Sequence, residues 1–186
     1  MKIELAGFDL DLIDLIESCG HIFAGYYDLR EFGAGYLGGD KQANNSDNPV
    51  ILGSMVPKIR RKLFPIYESR LTNLVSPHAY ISKTAKLGNG ITIQHHSTVM
   101  NAILGDGVQI NIGATVHHEC IIGDFATLAP QALILGRVKV ECGAYIGAGA
   151  IIRDECTIGE NAFVGMGAVV VKDVLPNTTV MGVPAS

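Results

Sequence analysis

The sequence predicts a small α/β opening subdomain over residues 1–74, followed by a parallel β-solenoid over residues 75–186. Three observations carry this reading. Stepping by six from Leu104 to Val170 meets an aliphatic residue at all twelve positions, and a second series four residues later, from Val108 to Val174, is small and apolar at all twelve. Residues 1–74 lack that hexad and alternate short apolar runs with a helical pattern. Finally, glycine supplies 22 of the 186 residues, tryptophan is absent and aromatics make up 6%. Such a chain fills its interior with small aliphatic side chains rather than large rings.

Along the opening unit, MKIELAG reads as a strand, Asp9 to Cys19 as a short amphipathic helix and IFAGYYD as a second strand. A polar, glycine-rich stretch from Phe32 to Asn48 follows. VILGS then forms a third buried strand, and a helix from about Met55 is bent or ended by Pro65. This order resembles half of a doubly wound, Rossmann-like fold. Ligands in such folds sit at the carboxyl ends of the strands, here Gly7, Asp28 and Gly53. Asp28 suits a ribose hydroxyl, and equally a solvated loop carboxylate. The first turn, Gly7-Phe8-Asp9-Leu10-Asp11, has one glycine, and Asp9 caps the helix whose free amides would meet a phosphate. A negative cap opposes an anionic ligand.

Period six fits neither an α-helix nor a simple alternating strand. It fits a coil with three flat sides, each a short strand with one bulky and one small inward residue. Glycines at 105, 123, 147, 159 and 165, directly after the aliphatic position, are expected to supply the backbone freedom of the corners. Ile81, Leu87, Ile93 and Val99 keep the same step but meet the main series one residue early, which marks a slip at a corner. The solenoid is expected to run from about Val75 to Val174, and the closing segment from Pro176 to leave the prism. Cys120 and Cys156 fall in the small inward slot and read as buried, inert thiols.

Composition removes several function classes. Formal charge is −4 with no basic run longer than Arg60-Arg61, so neither nucleic acid nor an anionic membrane is an expected partner. The longest apolar stretch near the end, Phe163 to Val171, falls short of the roughly 20 residues that span a bilayer. Glu4, Asp9 and Asp11 interrupt any signal-peptide core, so a cytoplasmic location is expected. The four cysteines have no C-x-x-C spacing, and reduced thiols are the default.

The hexads, the run V-H-H-E-C-I-I-G-D at 116–124 and the ending GMGAVVVKDV…GVPA resemble the hexapeptide-repeat acyltransferases. Among these, the chain is most similar to the bacterial sugar O- and N-acetyltransferases acting on sialic acids and nucleotide-linked amino sugars. The resemblance implies a left-handed coil and acetyl-CoA as donor, with no metal. It further implies homotrimers with sites between neighbouring prisms, and an acceptor that is a surface-glycan sugar or its nucleotide-linked precursor.

Transfer from a thioester needs little acid catalysis because the thiolate leaves readily, but the acceptor amine or hydroxyl must lose a proton as it attacks. A neutral imidazole suits that task. By resemblance the base is His118, with Glu119 holding its ring; His117 is its nearest rival. Gly136 offers an amide to the acetyl carbonyl. Thr127 stands where nearer relatives have a second histidine contacting acetyl-CoA, Ala148 and Met166 line the pantetheine groove, and Asn111 faces the acceptor. Gly7, Asp9, Asp28 and Gly53 are the remaining acceptor positions, although Asp9, Leu10 and Asp11 replace a glycine-rich turn followed by histidine. Gly136 and Ala148 are equally ordinary corner residues. Two other classes stay open: a β-helix binding or scaffold protein, and a metal-dependent hydrase on the same prism, suggested by His95-His96 and His117-His118.

Overall fold

A computed structural model describes residues 1–186 apart from the side chain of residue 44. The opening unit is a parallel sheet of four strands, β1 (Lys2–Ala6), β2 (Ile22–Tyr27), β3 (Tyr36–Gly38) and β4 (Val50–Leu52), in the order β3-β2-β1-β4. Side chains alternate across β1, so Ile3 and Leu5 face one layer and Ala6 the other. Helix α1 (Leu10–Ser18) covers the first layer through Leu12, Leu15 and Ile16. Helix α2 (Pro57–Tyr67) covers the second through Leu63 and Tyr67. The stretch read as a polar connection holds β3 and a 3-10 turn, Asp40–Asn45. Pro65 does not end α2, because it lies within the last turn, where its missing N–H forfeits a single helical bond. Buried Tyr67, whose hydroxyl donates to Asp40 Oδ1 at 2.7 Å, anchors the last turn.

The solenoid begins at Leu74–Val75 and winds through three parallel sheets in turn. A seven-stranded sheet runs from Leu74–Val75 through Gln109–Ile110 and Thr127–Leu128 to Thr179–Val180. The six-stranded sheet includes Thr115–Val116, Leu133–Ile134 and Ile151–Ile152, and the five-stranded sheet includes Ile103–Leu104 and Ile121–Ile122. Both hexad series lie inside, fully buried, Cys120 and Cys156 among them. Partners are 18 residues apart along the regular coils, as in Ile103↔Ile121, but 17 apart in Ile93↔Ile110 and Val99↔Val116. The slip expected between Val99 and Leu104 is thus a corner one residue short.

Two expectations need correction. The corners turn three residues after the bulky aliphatic position, where Glu119, Phe125, Gln131 and Arg137 adopt φ near +60°. Each of these amides donates to a carbonyl of the preceding coil, as Phe125 N–H does to Asp106 O at 2.7 Å, which offsets the left-handed backbone. The glycines directly after the aliphatic position are needed for another reason. Stacked coils pass so close that a Cβ on Gly123 would lie 2.7 Å from the Cys142 amide nitrogen. Nor does the closing segment leave the prism. Thr179–Val180 pairs with Phe163–Val164, and Ala185 returns to the core with its N–H donating to Val169 O at 2.9 Å.

The opening unit sits on the seven-stranded sheet, and Arg60 rivets the two together. From α2 its guanidinium donates to the carbonyls of Ser54, Gly107, Phe125 and Ala126, to Gln109 Oε1 and to Thr127 Oγ1. Burial lowers its pKa to about 9, so at neutral pH the group stays charged and is held by dipoles alone.

Candidate functional site

The residues singled out in the sequence gather at three places. His118 follows Thr115–Val116 at the corner between the six- and five-stranded sheets, opposite the sheet that carries the opening unit. Its carbonyl accepts from the Arg137 N–H at 2.9 Å, fixing the corner to the next coil. The half-exposed ring places Nδ1 3.2 Å from Glu119 Oε2. That carboxylate assigns the proton to Nδ1 and leaves Nε2 as an acceptor. Nε2 lies over the backbone of Gly136, one coil on, and the Gly136 N–H donates to no protein acceptor among the described residues. His117 meets the His118 ring edge-on, with centroids 4.7 Å apart. Arg137, which the sequence reading did not single out, pairs with Glu155 at 2.9 Å and approaches Glu119 Oε2 at 3.9 Å.

Ala148 and Met166 stack on neighbouring coils at a different corner, between the seven- and six-stranded sheets, joined by Gly167 N–H donating to Ala148 O at 2.8 Å. Both are exposed, Met166 by 82%. The width of the six-stranded sheet separates them from His118 within one chain.

Gly7, Asp28 and Gly53 meet at the carboxyl ends of β1, β2 and β4, in a cleft of about 550 Å³ that Phe8, Asp40, Ser54 and Lys62 also line. The two glycines are in backbone contact. Gly53 N–H donates to Ala6 O at 2.7 Å, and a Cβ on Gly7 would lie 2.6 Å from Gly53 O. Asp28 Oδ2 accepts from the Phe8 N–H at 3.0 Å.

Two residues lie elsewhere than expected, and a third, Asp9, stands outside the cleft. Thr127 is wholly buried: its hydroxyl donates to Met55 O at 3.0 Å and accepts from Arg60, so it lines no groove. The seated opening unit covers it. Asn111 turns in on Met55, its amide 3.2 Å from Sδ, beside Asp9 in a gap of about 10 Å³ that is too small for an acceptor. Asp9 caps α1 as expected, Oδ1 accepting from the Leu12 N–H at 3.2 Å, and burial pushes its carboxyl above the ordinary range. His78, His95 and His96 cluster with ring centroids 5.7 to 6.3 Å apart, but among the described residues no group of His, Cys, Asp or Glu is arranged to hold a metal ion. Among the described residues no helix is long and apolar enough to cross a membrane.

Residues 101–136 and 137–172 match the bacterial transferase hexapeptide (six repeats) family. An acyl-[acyl-carrier-protein]–UDP-N-acetylglucosamine O-acyltransferase of Alkalilimnicola ehrlichii is 43% identical over 79 residues, covering 42% of this chain and 31% of the relative. The chain thus spans about a third of the length of the first curated relatives it matches. Among solved structures, PerB of Caulobacter crescentus in complex with CoA and GDP-perosamine superposes with a TM-score of 0.92 at 26% identity, covering 100% of this chain and 96% of that one. The acetyltransferase domain of PglB from Neisseria gonorrhoeae in complex with acetyl coenzyme A gives 0.93 at 27%, covering 100% and 98%. These relatives are acyltransferases, and the parallel sheets with their hexapeptide repeats fit the left-handed β-helix of that class.

Proposed function

We propose that this chain, whose residues 101–136 and 137–172 match the hexapeptide-repeat transferases, moves an acetyl group from acetyl-CoA to an amino or hydroxyl group of a small sugar acceptor. The observation that carries the reading is the His118 ring, held by Glu119 at Nδ1 with Nε2 open above Gly136. On this reading Nε2 takes the acceptor proton as its nitrogen or oxygen attacks the thioester carbonyl, and the Gly136 N–H donates to the carbonyl oxygen as charge develops there. Glu119 steadies the imidazolium that results. The tetrahedral intermediate then collapses and expels the CoA thiolate, with no covalent enzyme intermediate.

The likeness to PerB with CoA and GDP-perosamine, and to the PglB domain with acetyl-CoA, supports donor and acceptor class alike. In this proposal residues 1–74 act as a Rossmann-like acceptor unit and residues 75–186 as the transferase prism. Ala148 and Met166 lie too far round the prism to share a groove with His118 of the same chain. A homotrimer in which one prism's Ala148–Met166 corner faces another's His118 resolves this. Exposed Ile103, Ile121 and Ile151 on the two sheets flanking His118 give such prisms an apolar surface to bury.

The test is a calorimetric titration of acetyl-CoA into the protein without acceptor, followed by rates for wild type and His118→Ala. Micromolar binding, with turnover lost in the variant but acetyl-CoA still bound, supports the reading. Absence of binding at millimolar donor, or unchanged turnover in His118→Ala, overturns it.

A further inference from the structure

We propose that the acceptor sugar is carried on a guanine nucleotide, whose diphosphate meets the turn before α2 and whose base is read by Asp40. This rests on the acetyl-transfer reading above, with its nucleotide-linked acceptor class, and names the nucleotide. Donors and acceptors in the cleft at the carboxyl ends of β1, β2 and β4 come from different segments. In the turn before α1 the Gly7 N–H is spent on Tyr27 O, the Phe8 N–H on Asp28 Oδ2 and the Leu12 N–H on Asp9 Oδ1. Between β4 and α2, the Ser54 and Met55 N–H groups donate to no protein acceptor among the described residues. Helix α2 opens without a side-chain cap or an acidic residue in its first turn, and its Lys62 lines the same cleft as Ser54. A diphosphate therefore fits the α2 turn rather than the α1 turn. Its length also carries the sugar out of the cleft, into reach of a neighbouring prism's His118 in the homotrimer proposed above.

The polar groups left for ribose and base are carboxylates. Asp28 stands at the end of β2, where an acid takes a ribose hydroxyl. Asp40 opens the 3-10 turn, and its Oδ1 accepts from the buried Tyr67 hydroxyl at 2.7 Å, which fixes the carboxyl group. Oδ2 accepts from no protein donor among the described residues, and Oδ1 keeps a second lone pair. An ionised carboxylate only accepts, so it selects a base that offers donors side by side. Guanine does so through N1–H and the 2-amino group. Uracil and thymine present one N3–H between two carbonyl oxygens, which a carboxylate repels. Phe8 and Leu29 supply apolar faces for the ring.

GDP, UDP and dTDP titrated calorimetrically into the full-length protein and into Asp40→Asn decide the point. Wild type is expected to bind GDP about tenfold or more tighter than UDP or dTDP. Asp40→Asn is expected to erase that preference while UDP and dTDP binding change little. Lys62→Ala is expected to weaken all three alike, since they share the diphosphate. UDP or dTDP binding as tightly as GDP in wild type overturns the proposal, as does no binding of any of the three at millimolar concentration. A GDP preference undiminished in Asp40→Asn, or an equal loss of all three there, also overturns it, the latter marking Asp40 as structural. A loss confined to GDP in Lys62→Ala overturns the placement of the diphosphate. None of these titrations needs acetyl-CoA or turnover. Failure of acetyl-CoA binding, or an unaffected His118→Ala, would sink the transfer reading and leave the nucleotide preference standing.

Discussion

The imidazole of His118 rests directly on the backbone of Gly136: a methyl group there would lie 2.6 Å from Cε1 and 2.7 Å from Nε2. Glycine at 136 is therefore the seat of the ring. It also leaves the Gly136 N–H uncovered beside Nε2, the nitrogen proposed to take the proton. Gly136→Ala is expected to push the ring aside and loosen its contact with Glu119, lowering kcat by about 10²-fold, since small misplacements of a catalytic group cost that much. Position 136 has no positive φ, so the fold should tolerate the change. Steady-state kinetics beside a thermal melt check this; full activity in a folded variant would mean that the ring does not act from this seat.

The prism was legible because a solenoid applies one rule at every rung. Once Leu104, Ile110 and Val116 are placed inside, each later inward slot follows, and the 99-to-104 step shows the short corner. Non-periodic features escaped. Val180 and Ala185 return to the prism without a hexad, since their pairing steps back 16 residues, from Val180 to Val164. Thr127 and Asn111 read as site residues only through the resemblance, by register with the family's positions, which fall here on an outward face of the seven-stranded sheet. That face is buried by docking of the opening unit through Arg60, a tertiary event with no periodic trace. The Arg60-Arg61 pair registers in the sequence only as charge. His118, Glu119 and Gly136 were found through the H-E-C-x-I-G resemblance, and their juxtaposition follows from an 18-residue coil.

Thr127 separates a cofactor role from a structural one. If its hydroxyl only bridges Arg60 and Met55, Thr127→Val leaves the Met55 carbonyl without its donor while Arg60 Nη2 keeps Phe125 O and Ala126 O, at about 1 kcal/mol of stability. The KM for acetyl-CoA should stay unchanged. Denaturant unfolding and donor kinetics together check this, and a raised KM at undiminished stability would restore the cofactor role.

Arg60 offers a stronger test of how the two units hold together. Arg60→Ala orphans carbonyls at Ser54, Gly107 and Phe125, takes the second donor from Ala126 O and empties a buried site, so a loss of about 3–5 kcal/mol is expected. The prism core does not contain Arg60. The loss should therefore appear as early protease cleavage in residues 1–74 while the β-helix persists. Simultaneous loss of both units would show that the rivet supports the prism as well.

Glu4 and Asp9 give opposite pH signatures. Burial pushes the Glu4 carboxyl up, but hydrogen bonds from Ser46, Asn48, Arg70 and Tyr27 outweigh it and hold the group below its ordinary 4.5. A carboxyl lowered on folding contributes stability above its unfolded value and loses it as pH falls through the folded one. Asp9, raised from 3.8 chiefly by burial, instead costs stability as pH climbs from 3.8 through its folded value. Glu4→Gln, which strips Arg70 of its buried partner, is expected to cost about 3 kcal/mol at pH 7 and to flatten the acid limb of the stability curve below pH 4.5. Asp9→Asn keeps the helix cap and removes the buried charge, so it should match or slightly exceed wild type at pH 7. Urea unfolding of both variants between about pH 3 and 7 reads the two signs at once; an acid limb of wild-type slope in Glu4→Gln would mean that some other carboxylate drives acid unfolding.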